Sequence, residues 1–203
     1  MAWDEYVKDE TQAHRGMPLE DLINLTNDAY RRDHVALIQK VPTNFLPIRG
    51  DRGKVVSCKV VQKSGVDYLG QVGGTPLAFE AKNSASDSIL FSRVEPHQAA
   101  FLDDWLASGK GSLAFVLVGF KLNRFFLVPW EFWKAARDAW DEHRKTGEKA
   151  KPVHVEKYGW VWETPGMASV KADGLLPDWE VKLGGRYVLP YLEVVEKTKR
   201  RSG

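Results

Sequence analysis

Val66-Asp67-Tyr68-Leu69-Gly70-Gln71-Val72-Gly73-Gly74-Thr75-Pro76-Leu77-Ala78-Phe79-Glu80-Ala81-Lys82 reads as two extended segments around a glycine pair. Residues 66–69 and 76–82 predict strands, and Gly73-Gly74 is the signal of a hairpin loop, where glycine supplies the backbone that tight turns need. In the second strand Leu77, Phe79 and Ala81 face one way and Ala78, Glu80 and Lys82 the other, because strand side chains alternate with period two. A carboxylate and an ammonium therefore share one face. Asp67 stands thirteen positions before Glu80, and the hairpin can fold its carboxylate back towards it. Two carboxylates brought together repel unless a divalent cation lies between them, and oxygen ligands suit magnesium or manganese. A lone E-x-K is more often a weak surface pair on an edge strand.

Working outward, Gly16 and Pro18 precede a helix with Leu19, Leu22, Ile23, Thr26 and Tyr30 on one side. Glu20, Asn24, Asn27 and Arg31 line an adjoining polar stripe. A short strand over 35–40 ends at Pro42. Between 48 and 62, the turn Arg49-Gly50-Asp51-Arg52-Gly53 separates two extended basic segments, which predicts an arm projecting from the body. Pro96 starts a helix with the apolar stripe Phe101, Leu102, Trp105 and Leu106. Leu113-Ala114-Phe115-Val116-Leu117-Val118-Gly119-Phe120 predicts a central strand buried on both faces. Residues 125–128 are its expected neighbour, and 130–143 an amphipathic helix. Residues 150–203 carry the alternating Trp160-Val161-Trp162 and several turns and are placed only loosely.

Composition narrows the function classes. A chain of 203 residues, 43% apolar and 28% charged, fits one α/β or α+β unit rather than two domains. The longest apolar run, 113–120, is too short to cross a bilayer, and the polar start shows no secretory h-region. A cytoplasmic protein with no membrane association is expected. One cysteine, Cys58, excludes an internal disulfide, and the five histidines are too scattered for a zinc site. Gly109-Lys110-Gly111-Ser112 precedes the buried strand and lacks Walker spacing, so it is a turn. No G-x-S-x-G or H-E-x-x-H occurs. Net charge is only +2, yet residues 31–63 hold eight basic residues against two acids. That is an electrostatic footprint for a polyanion. A second cluster, Lys197, Lys199, Arg200 and Arg201, reads as either the same footprint or a mobile solubilising tail.

Asp67, then Glu80-Ala81-Lys82 on an alternating strand, then a helix carrying Gln98 form the signature of the PD-(D/E)XK nuclease superfamily. More narrowly, the chain resembles the RecU-type Holliday junction resolvases of bacteria and their phages. Further matching stretches are Leu19-Glu20-Asp21-Leu22-Ile23-Asn24, Lys40-Val41-Pro42-Thr43, Val66-Asp67-Tyr68-Leu69-Gly70, His97-Gln98 and Phe126-Leu127-Val128-Pro129. The resemblance implies a restriction-endonuclease-like α/β fold: a mixed β-sheet flanked by α-helices, with a projecting β-hairpin stalk. It also implies a homodimer and cleavage of four-way junction DNA in recombination and repair, with a recombinase or branch-migration helicase as a possible partner. Residues 1–203 would form a single nuclease domain, with 48–62 the stalk.

By the same resemblance, Asp67 and Glu80 hold Mg2+, with Mn2+ able to substitute, and Gln98 and the Ala81 carbonyl complete its shell. Lys82 orients or deprotonates the attacking water, and Glu20 is the helix-borne acid of the site. Arg15, Arg31, Lys40, Arg52, Lys54, Lys59 and Lys63 are assigned to DNA phosphates. One departure is Gly65, where RecU proteins usually carry a hydroxyl residue; Ser64 is its neighbour. Two rival readings are a PD-(D/E)XK enzyme that cuts duplex DNA and a non-catalytic junction-binding accessory protein.

Overall fold

Gly73 and Gly74 have φ of +51° and +76°, the positive values of a primed two-residue hairpin loop, whose twist matches that of the strands it joins. The computed structural model describes residues 17–42, 44–62, 64–148, 152–155, 160–162 and 167–201. Along the chain run α1 (Leu19–Arg32), β1 (Ala36–Lys40), β2 (Asn44–Arg49), β3 (Val55–Gln62), β4 (Tyr68–Val72), β5 (Thr75–Ser84) and β6 (Ser88–Leu90). Then follow α2 (Pro96–Ser108), β7 (Leu113–Phe120), β8 (Arg124–Pro129), α3 (Trp130–Thr146), β9 (Val153–Val155) and β10 (Trp160–Trp162). The chain closes with β11 (Ser169–Lys171), β12 (Glu180–Val181) and α4 (Tyr191–Arg201). No helix among the described residues is long and apolar enough to cross a membrane.

The main sheet has the order β1-β4-β5-β7-β8-β12. It is mixed: β5 and β7 are parallel and every other neighbouring pair is antiparallel. Parallel neighbours need a long crossover, and the one between β5 and β7 contains β6 and α2. Strand β7 lies between β5 and β8 and is covered on both faces. Ala114, Val116, Val118 and Phe120 pack towards α2 and α3, while Phe115 and Leu117 pack towards α1 and α4. This explains the unbroken apolar run.

Beneath the candidate site, Tyr68, Phe79 and Phe115 are successive cross-strand partners on β4, β5 and β7. Their rings stack at 4.7 Å spacing with planes 8° and 10° apart. A one-residue slip of any strand would throw its ring to the wrong face, so the ladder specifies the register. Tyr191 of α4, fully buried, covers Phe79 and Phe115 at centroid distances of 5.4 and 6.1 Å.

Two expectations about element boundaries change. The arm is a separate two-stranded ribbon of β2 and β3, but it begins at Asn44 rather than at 48. Pro47, paired with Cys58, sits in the ribbon because a strand with a free edge tolerates a residue without an N–H. The C-terminal basic cluster is not a tail, since Lys197, Lys199, Arg200 and Arg201 lie on α4. That helix is docked by its buried Tyr191, Leu192, Val194 and Val195, each buried aliphatic contributing about 1.5–3 kcal/mol of transfer free energy. Polar groups on the buried side of α1, with Asn27 of the polar stripe, fix the docking. Thr26 Oγ1 accepts from the Leu189 N–H at 2.9 Å, Tyr191 donates to Asn27, and Tyr30 accepts from the Leu192 N–H at 3.3 Å. Strands β11 and β12, also unforeseen, pair with β6 and β8.

Candidate active site

The β4–β5 register places Tyr68 opposite Phe79, so the residues one step beyond, Asp67 and Glu80, meet across the two chains. They lock each other through the backbone. The Asp67 N–H donates to Glu80 Oε2 at 3.1 Å, and the Ala81 N–H donates to Asp67 Oδ2 at 3.0 Å. Asp67 precedes β4 instead of lying within it, and its carbonyl accepts from the Val41 N–H at 2.8 Å. Glu80 is fully buried. Its Oε1 accepts from Lys82 Nζ at 2.5 Å and from the Gln98 amide.

Gln98 reaches Glu80 because α2 crosses that face of the sheet, with Ala99 and Leu102 buried against it. The Gln98 side-chain oxygen accepts from the Glu95 N–H at 2.9 Å, half of a capping box that begins α2. One amide thus ties the helix start to β5. Glu95 was not anticipated as part of this arrangement. Its signal in the sequence is the E-P-x-Q spacing at the helix start, with Pro96 at the first helical position.

Burial pushes the Glu80 carboxyl up to about 8; the Asp67 carboxylate adds to the rise and the Lys82 ammonium opposes it. Two carboxyl groups meet one ammonium where water is scarce, and the folded chain relieves the repulsion between them by keeping the proton on Glu80. The carboxylate oxygens of Asp67 and Glu80 are hard ligands, whereas the Gln98 oxygen is turned to the Glu95 N–H and its NH2 group to Glu80. A divalent cation fits this chemistry. Among the described residues no group of three or more His, Cys, Asp or Glu is gathered that could hold a metal.

Glu20 is not joined to this pair. Its half-exposed carboxylate is ion-paired with Lys40, and its main-chain carbonyl accepts from the Tyr68 hydroxyl at 3.5 Å. Tyr68 also donates to Asn24 Oδ1 at 3.0 Å, so α1 meets β4 through Tyr68. Of the residues expected at DNA, Arg31 is exposed at the end of α1, and Arg52, Lys54 and Lys59 are exposed on the ribbon. Arg15 and Lys63 lie outside the described residues. At Gly65 an added Cβ would lie 2.3 Å from the Phe101 ring. A hydroxyl residue at 65 therefore cannot enter without displacing Phe101 of α2.

A mixed sheet flanked by helices, with Asp67 opposite Glu80-Ala81-Lys82 and Gln98 on the covering helix, defines the class of restriction-endonuclease-like α/β proteins. The chain belongs to the RecU family: residues 14–160 match the family model of Recombination protein U. A relative from Streptococcus pneumoniae (strain Taiwan19F-14), named Holliday junction resolvase RecU, is 29% identical over 197 residues, covering 91% of this chain and 84% of its own. One of the same name from Oenococcus oeni is 30% identical over 148 residues, covering 70% and 73%. A solved structure of Archaeoglobus fulgidus Hjc, described as a Holliday junction resolvase from an archaeal hyperthermophile, matches with a TM-score of 0.33 and 14% identity. It covers 54% of this chain and 77% of its own.

Proposed function

We propose that this chain is a metal-dependent, structure-selective endonuclease that resolves four-way DNA junctions by paired symmetric nicks, acting in recombination and repair as a cytoplasmic homodimer. The observation that carries this reading is the reciprocal lock of Asp67 and Glu80 beside Lys82. Family membership and the names of the curated relatives support it. In this reading the chain is one nuclease unit with the ribbon as its stalk.

Asp67, Glu80, the Ala81 carbonyl and Gln98 would hold a divalent cation, Mg2+ with Mn2+ able to substitute. When bound, such a cation supplies charge neutralisation at the scissile phosphate and makes its water a stronger acid. Lys82 has a conditional role. In the structure its ammonium donates to Glu80; beside a bound cation it would orient the attacking water and stabilise charge on the pentavalent phosphorus as the ammonium, or take the water's proton as the neutral amine. Gln98 holds the start of α2 at the site. Glu20 lies at the rim, where its bond to Lys40 keeps that cation near the entrance. Arg31, Lys40, Arg52, Lys54 and Lys59 supply phosphate contacts, with Arg15 and Lys63 assigned to the same task on sequence grounds alone. A recombinase or branch-migration helicase remains the expected class of protein partner.

The test is incubation of purified protein with a labelled four-way junction and a matched linear duplex, each with Mg2+, Mn2+ or EDTA. Symmetric cuts in the junction with metal, none with EDTA and few in the duplex are expected. Equal cutting of both substrates would reassign the chain to duplex-cutting nucleases, and binding without cutting to accessory proteins. Two matched nicks need two sites, so light scattering should return about twice the 23.0 kDa chain mass.

A further inference from the structure

At the opposite end of β4 from Asp67, a cleft of about 360 Å³ opens between the end of α1 and the hairpin turn. It is lined by Arg31, His34, Leu37, Gln71, Gly73 and Gly74, among others. We propose that this cleft is a second phosphate site, taking a backbone phosphodiester of a duplex arm of the junction away from the cutting centre. The proposal rests on the DNA-cleaving reading above and adds the path of the arm.

Three observations converge there. First, Arg31 is exposed and makes no ion pair among the described residues, whereas its neighbours are engaged: Arg32 and Arg186 with Asp33, and Lys40 with Glu20. Second, His34 has φ +56°. It ends α1 in the left-handed conformation, with the Val35 N–H bonded to the Tyr30 carbonyl at 2.9 Å, the position that glycine usually fills. An L residue at such a point costs energy, and this one sets an exposed ring at the lip of the cleft. Third, the ladder of β4 and β5 closes at Val72 and Thr75, so the amides of Gly73 and Gly74 are outside it and neither residue carries a Cβ to block a ligand.

A guanidinium, an imidazole and glycine amides around one concavity are phosphate-binding chemistry, and the exposed Val35 and Leu37 offer apolar surface to a deoxyribose. Edge strand β1 connects this end to the site end. It carries no acid, running Ala36-Leu37-Ile38-Gln39-Lys40, so nothing on it repels a backbone laid along it. The five residues of β4 separate Gly73 from Asp67, about 20 Å over the six steps at the usual rise, which matches about six base pairs of duplex.

The test measures junction affinity by anisotropy in EDTA, which prevents cutting. One junction is unmodified; the other has neutral methylphosphonate linkages about five to seven nucleotides from the crossover on each arm. Arg31→Ala should weaken binding to the unmodified junction about fivefold and lower the salt slope by about one, with little change on the neutralised junction. His34→Gly should show the same pattern at about twofold with no loss of thermal stability, since glycine suits that backbone. Equal losses on both junctions, or no loss on either, would overturn the proposal, the latter leaving an acidic protein segment as the better occupant. Inorganic phosphate is titrated alone: micromolar saturation that Arg31→Ala abolishes would show a free-anion site and also overturn it. Wild-type cutting of the unmodified junction with Mg2+ is scored separately, so failure of the nuclease reading cannot be mistaken for failure of the cleft.

Discussion

The β4–β5 hairpin and the β2–β3 ribbon are both antiparallel pairs joined by glycine-containing turns, yet they are built for opposite purposes. The first is buried at its site end, from Leu77 to Glu80 and at Tyr68, and its charged residues there are crossed by backbone hydrogen bonds. The second has no core. Its Leu46, Ile48, Val55 and Val56 are 45–66% exposed, and at its tip Arg52 has φ +69° while Arg49 donates to the Gly53 carbonyl at 2.8 Å. Rigid burial suits chemistry, where a misplaced atom slows the reaction. An exposed, basic ribbon suits recognition, since four-way junctions gather phosphates around an opening that linear duplex lacks.

The largest expected effect lies in the first region. Asp67→Asn or Glu80→Gln removes a metal-bearing charge with little change of volume, and either should lower cleavage about a thousandfold or more while junction binding persists. Lys82→Ala should arrest cutting to a similar degree with metal affinity retained. Near-normal turnover in any of the three would contradict the proposed division between chemistry and recognition.

The same burial predicts a pH effect. Below pH 4.5 both folded and unfolded chains hold the Glu80 proton. Between 4.5 and about 8 the unfolded chain loses it while the folded one keeps it, so the metal-free protein should lose stability as pH rises across that window, by a few kcal/mol at most, and level off above. Chemical denaturation at several pH values in EDTA measures this slope. Glu80→Gln should flatten it, and a divalent cation should reverse it; an unchanged slope in the variant would place its origin elsewhere.

In the ribbon, replacing residues 50–53 by a short Gly-Ser turn should weaken junction binding about tenfold and duplex binding far less, with cleavage chemistry intact. Competition at one salt concentration decides this: equal losses would mean that the ribbon adds only general affinity. The smallest effect is expected beneath the site. Tyr191→Phe deletes one buried hydroxyl and leaves Asn27 without that partner, which should cost about 1–2 kcal/mol of stability. A loss of activity without a loss of stability would tie the C-terminal helix to the chemistry directly.

Local pattern made much of this legible. The alternation around Glu80, the Gly73-Gly74 pair and the apolar run at 113–120 each specify their element from neighbouring residues, because strand period and turn backbone are short-range properties. Gln98 could be read as aimed at the sheet from its offset to Phe101, Leu102 and Trp105. Its contact with Glu80 could not, since the crossover between them has no periodicity that sets a distance.

By itself the sequence determined the strand alternation, the carboxylates and lysine that share a site, and the basic ribbon with its turn. Tertiary structure alone decided that the Glu80 carboxylate accepts from the Asp67 N–H and the Asp67 carboxylate from the Ala81 N–H, that Glu20 pairs with Lys40, and that Phe101 occupies the space above Gly65. It alone also decided that α4 docks on α1, where the polar groups of Thr26, Asn27 and Tyr30 find their partners only in residues more than 160 positions away. The reason is range: backbone propensity acts over a few residues, whereas the burial of a polar group is decided by whichever distant segment satisfies its hydrogen bonds.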